Sequence, residues 1–210
     1  MKKILILCLA LIMMLGTFAV YAADAPAFED IENSWAKNEI TAMKDLGIIT
    51  GKTATQFAPG ELVTRAEFAV MIARICEFDS DYSQSMFNDV AIDSWYGQAV
   101  NAAYFEGVIK GVDENTFMPE NPVSLQEAAV MANRVFEKYH PEDTSAANTD
   151  ILKEFKNLDS VSVWAREDIA HAAQRGILYR LYENGYFDGT RSATREETAS
   201  ILYRLYNTVK

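Results

Sequence analysis

Two short stretches set an arginine directly behind a hydroxyl residue and shortly ahead of a glutamate: Thr64-Arg65-Ala66-Glu67 and Thr194-Arg195-Glu196-Glu197. A third, Ser124-Leu125-Gln126-Glu127, keeps the hydroxyl and the glutamate but has leucine in the arginine's place. Ser/Thr followed three residues later by Glu is a capping box: the hydroxyl accepts from the N3 amide and the carboxylate reaches back to the cap amide. Each cap contributes about 1 kcal/mol. Arg65 and Arg195 then stand at N1, beside backbone amides without helical partners and at the positive end of the helix dipole, where an anion is favoured. A guanidinium fork donates two parallel hydrogen bonds to a carboxylate, each contact contributing about 1.5–3 kcal/mol. The chemistry suggested is anion capture. The plainer alternative is a solvated surface charge, mildly unfavourable against the dipole.

Other reactive side chains are not arranged for catalysis. Asp and Glu total 30, so carboxylate pairs arise freely and proximity alone does not signal glycosidase chemistry. His140 precedes Pro141 and His171 falls within a helical pattern, with no mutual spacing that suggests a metal site or a triad. Cys76 belongs to an apolar-rich helix and reads as core. No glycine loop suited to phosphate is present. Arg74, Arg134 and Arg204 recur ten residues after each cap, toward helix C-termini where positive charge is favoured, and read as structural. Lys52 and Lys110 flank loop glycines and could add to anion binding. The expectation is a non-enzyme with no catalytic residue, no metal and no cofactor.

The elements that must position these residues emerge when the tryptophans serve as a ruler. Trp35, Trp95 and Trp164 each stand twelve residues before a glycine, Gly47, Gly107 or Gly176. Between them Ile40/Met43, Val100/Ala103 and Ile169/Ala172 keep helical spacing. A glycine directly after such a helix suits the left-handed C′ position. Phe57, Phe117 and Phe187 each precede a cap hydroxyl by seven residues, and an i, i+3, i+4 stripe follows each cap (Phe68, Met71, Ile72 and Ile75 in the first). The predicted unit is helix, glycine-bounded loop, helix, repeated over residues 28–78, 87–139 and 155–206, with polar linkers at 79–86 and 140–154. No two-helix unit buries its apolar face alone, so the fold class is mainly α, a single domain of three helix-loop-helix repeats with approximate threefold symmetry.

Residues 1–22 read as an export signal: Lys2 and Lys3, an apolar run from Ile4 to Leu15, and cleavage after Ala22. A retained membrane anchor or lipidation at Cys8 fits less well. Removal leaves 188 residues with 17 basic and 30 acidic side chains, a net charge of −13. That balance argues against nucleic acid, and it means an anion must be held by local cations against the global field. Only Cys76 remains, so no internal disulfide forms and apolar burial must stabilise the fold.

Phe28-Glu29-Asp30-Ile31 with Trp35-Ala36, Phe87-Asn88-Asp89-Val90 with Trp95, and Phe155 with Trp164-Ala165, taken with the Thr-Arg-Ala-Glu-type stretches, resemble the surface-layer homology (SLH) domain. The resemblance covers nearly all of the chain behind the leader. It implies a secreted protein of the cell wall and S-layer, with non-catalytic anchoring on an anionic secondary cell-wall polysaccharide, often through a pyruvylated sugar, in grooves between repeats. It also implies ligand-binding roles for Arg65, Arg195, Gly51, Gly111, Trp35, Trp95 and Trp164, to which Lys52 is added from its place beside the loop glycine. The tryptophans remain open between sugar stacking and core packing. Leu125 in the second copy, and Arg180 where the others have Gly51 and Gly111, predict unequal grooves. The alternative is a structural or interaction protein that packs against other S-layer proteins with weak or no glycan binding.

Overall fold

The computed structural model describes residues 27–78, 81–182 and 185–210. The leader expected over residues 1–22 lies outside them. Six α-helices form three pairs: α1 (Lys37–Asp45) with α2 (Arg65–Cys76), α3 (Gly97–Phe105) with α4 (Leu125–Tyr139), and α5 (Arg166–Gln174) with α6 (Arg195–Val209). The fold is mainly α, and isolated bridges are all the β pairing among the described residues.

All three second helices start as predicted. Thr64, Ser124 and Thr194 accept from the amides of Glu67, Glu127 and Glu197, whose carboxylates return to the cap amides. The first helices end on Gly47, Gly107 and Gly176 with φ of 70°, 76° and 72°. The bonds there are those of a Schellman motif: Gly47 N–H donates to Lys44 O at 2.8 Å and Ile48 N–H to Met43 O at 2.9 Å.

Between the helices an aromatic pair fixes each loop. Phe28 meets Phe57, Phe87 meets Phe117, and Phe155 meets Phe187, in each case with ring centroids 5.4 Å apart. Asp30 clamps its loop by accepting from the amides of Phe57 at 2.8 Å and Ala58 at 2.7 Å. Asp89 does the same for Phe117 and Met118. The clamp holds Ala58 and Met118 in the left-handed region, φ 61° and 59°, where a side chain is strained. Desolvation works against the charge of Asp30, but the Phe57, Ala58 and Asp30 amides outweigh it and hold the carboxyl below its ordinary value. Asn157 supplies only the first of these bonds, to Phe187.

The pairs do not close on themselves. α2 packs on α3, α4 on α5, and α6 returns to α1, while α2, α4 and α6 also touch one another. The first helix of each pair is thus covered by the second helix of its neighbour. At the centre the residues just before the caps form a hydrogen-bonded ring: Val63 N–H donates to Ala193 O, Ala193 N–H to Val123 O, and Val123 N–H to Val63 O, at 3.2, 2.9 and 2.9 Å. All three side chains are fully buried. This ring marks the pseudo-threefold axis.

The segment 140–154, expected to be a plain polar linker, is tied down. His140 Nε2 lies 2.8 Å from Thr208 O, Arg175 donates to Asp143 at 3.0 Å, and a short 3₁₀ helix, Thr149–Glu154, buries Leu152. Leu152, with the partly buried Ala147 and Ile151 beside it, anchors too short a stretch to leave a periodicity for a sequence to reveal.

Candidate functional site

Arg65 and Arg195 sit at N1, but each reaches away from its own helix into the neighbouring pair. Arg65 donates from Nε to Phe117 O at 2.8 Å, from Nη1 to Glu127 Oε1 at 2.6 Å and from Nη2 to Lys110 O at 3.2 Å. Arg195 makes the matching reach to Phe57 O and Thr50 O, both at 2.6 Å. The guanidinium carbons lie 4.6 Å from the Phe117 ring and 4.4 Å from the Phe57 ring. With only 4% and 3% exposure, these are latches between helix pairs and not solvated charges. Burial pulls both guanidinium pKa values down, opposed chiefly by Glu127 for Arg65 and Glu67 for Arg195.

The expectation that free amides accompany these arginines is corrected. Arg65 N–H donates to Asn121 O and Ala66 N–H to Pro119 O, while Arg195 and Glu196 donate to Glu61 O and Pro59 O. The helix N-termini are therefore already satisfied by carbonyls of the neighbouring loop. Any anion must be held by side chains.

Two grooves open beside the latches, each drawing on all three pairs. The first, of about 350 Å³, joins Arg65 to Gly111 and Arg134 of the second pair and to Trp164 of the third. The second, of about 90 Å³, joins Arg195 to Gly51, Lys52 and Arg74 of the first pair and to Trp95 of the second. Each wall carries three cations to one carboxylate: Arg65, Lys110 and Arg134 with Glu127, and Lys52, Arg74 and Arg195 with Glu67. On a chain of net charge −11 these are local reversals of sign.

Trp95 and Trp164, open between core and ligand from sequence, are 66% and 57% exposed. Their rings are on the groove rims. Gly51 and Gly111 line the grooves for a steric reason. A Cβ on Gly51 would lie 2.4 Å from Thr53 O and 2.5 Å from the Phe28 ring, and one on Gly111 would lie 2.4 Å from Asp113 O. Lys52 is 3.3 Å from Glu67 and 3.7 Å from Glu61.

Arg74 and Arg134, read from sequence as structural, are groove residues. Arg74 retains one bond, to Ile48 O at 3.0 Å. Arg134 makes no hydrogen bond or ion pair among the described residues. The ten-residue spacing behind each cap was the available signal, but it could not distinguish a groove from a helix end.

The third joint is built differently. Leu125 is fully buried where the others have arginine, and Arg191 pairs with Glu197 instead. Arg180, at φ 72°, puts its guanidinium 5.2 Å from the Trp35 ring and donates to Trp35 O. Trp35 is half-buried against the hydrophobic core, and a cation of this chain lies over its ring. The three joints are unequal, as the substitutions at 125 and 180 predict.

A model of the S-layer homology domain matches residues 27–69 and 87–129. An amylopullulanase of Thermoanaerobacterium thermosulfurigenes is 35% identical over 192 residues, covering 90% of this chain and 10% of the relative. Exoglucanase XynX of Acetivibrio thermocellus is 34% identical over 181 residues, 85% of this chain and 16% of the relative. An S-layer protein of Bacillus thuringiensis subsp. finitimus is 29% identical over 202 residues, 96% of this chain and 24% of the relative. The chain thus spans between a tenth and a quarter of the length of these relatives. Proteins with enzyme names and proteins with S-layer names match most of this chain with a small part of their own length. The chain carries S-layer homology domain sequence over residues 27–69 and 87–129.

Proposed function

We propose that the chain is a non-catalytic anchor that holds an anionic, pyruvylated secondary cell-wall polysaccharide in its two inter-pair grooves. The S-layer homology domain sequence and the S-layer relatives put it at the cell surface. The observation that carries the reading is the pairing, in each groove, of a cluster of cations with a largely exposed tryptophan on the rim. An arginine fork suits a carboxylate, and the flat ring beside it suits the apolar face of a sugar. Arg65 and Arg195 shape the grooves as latches, Gly51 and Gly111 bring the loops close, Trp95, Trp164, Arg74 and Arg134 present the contact surface, and Lys52 supports it from its pair with Glu67. Trp35 is a weaker candidate because Arg180 covers it. Among the described residues no helix is long and apolar enough to cross a membrane.

Two substitutions test this without disturbing the latches. Trp95→Ala with Trp164→Ala removes one exposed ring from each groove. Co-sedimentation with purified wall sacculi should fall at least about tenfold, with the helical circular dichroism unchanged, each lost ring contact being worth about 1 kcal/mol or more. Retention equal to that of the unsubstituted chain would reject the grooves as the binding surface and favour packing against other S-layer proteins.

A further inference from the structure

Each capping-box glutamate uses one oxygen for its own cap and has another left over. Oε2 of Glu67, Glu127 and Glu197 accepts from the cap amide at 2.9, 2.8 and 2.9 Å. Oε1 meets a cation of different origin each time: Lys52 for Glu67, Arg65 for Glu127 and Arg191 for Glu197. The difference reaches the latches. Arg65 commits Nη1 to Glu127 and has no terminal nitrogen without a protein partner. Arg195 faces Glu67 across the equivalent joint yet bonds only through Nε and Nη2, and its Nη1 makes no hydrogen bond among the described residues. The residue that separates the two cases follows the loop glycine. It is Lys52 in one groove and Val112, 47% exposed and unable to pair with a carboxylate, in the other.

We infer that Lys52 is a positioning residue: by holding Glu67 it keeps Arg195 Nη1 open for the anion of the ligand. In the groove of Val112, Glu127 occupies the latch, and Arg134, which has no hydrogen bond or ion pair among the described residues, takes the anion instead. The two grooves thus hold the same kind of ligand through different arginines. This rests on the wall-polysaccharide reading above.

Each groove has its own tryptophan, so fluorescence reports on them separately. A Trp35→Phe, Trp164→Phe chain leaves Trp95, and a Trp35→Phe, Trp95→Phe chain leaves Trp164; both are titrated with polysaccharide released from sacculi by acid. Lys52→Met should weaken binding seen by Trp95 about tenfold and leave that seen by Trp164 unchanged, the size expected for one charge-assisted contact. Adding Glu67→Gln, which keeps the capping box, should restore the Trp95 titration to within about twofold. A double variant as weak as Lys52→Met alone would overturn the positioning role and make Lys52 a direct contact. Response of both tryptophans with no effect of Lys52→Met would also overturn the inference, and that inference alone. If neither tryptophan responds in the chains with Lys52 intact, the wall-polysaccharide reading itself fails.

Discussion

At the scale of single residues, Arg65 and Arg195 have two duties, and structure is the larger one. Arg65 joins two carbonyls, a carboxylate and an aromatic face of the neighbouring pair from a nearly dry position. Its removal leaves Glu127 and two carbonyls without their donor. Arg65→Ala should therefore destabilise the fold by about 2–4 kcal/mol, lowering Tm by roughly 10 °C. Arg134→Ala, which breaks no hydrogen bond or ion pair among the described residues, should leave Tm within about 1 °C while weakening sacculus binding. Thermal denaturation of the two variants decides the matter, and equal Tm values would contradict the latch. The sequence revealed where these arginines stand in their helices. It could not reveal what they touch, because Phe117 lies 52 residues from Arg65 and Phe57 lies 138 from Arg195.

At the scale of elements, the caps and helix stops were fully legible because both are local. A hydroxyl and a glutamate three residues apart fix a start, and a glycine at C′ fixes an end. The loop glycines carry a different constraint. Gly51 is confined by the Thr53 and Gln56 carbonyls and by the Phe28 ring, none of which is a flexible side-chain tip. Gly51→Ala should cost about 2 kcal/mol or more and loosen the groove that contains Lys52. Denaturant titration would show it as a lower midpoint, and an unchanged midpoint would contradict the close packing. The third pair meets the same problem with another backbone, Arg180 at positive φ, and its groove is covered by its own guanidinium. The anchoring of segment 140–154 escaped the sequence because it depends on Leu152, His140 and Asp143 singly and on no repeating pattern.

At the scale of the molecule, closure explains why the pairs belong together. α6 covers α1 across almost the whole chain, and the Val63, Val123 and Ala193 backbones complete one ring. Threefold repetition was legible from the tryptophan, phenylalanine and cap spacings, but the exchange of partners between neighbouring pairs was not. That exchange is what creates the grooves, since each takes an arginine, a loop and a tryptophan from three different pairs. It also concentrates positive charge at two places on an acidic surface. The most direct test compares sedimentation of the unsubstituted protein with wall sacculi before and after acid extraction of the secondary polysaccharide. Near-complete retention on intact sacculi and its loss on extracted ones is the result predicted; undiminished retention on extracted sacculi would contradict the account.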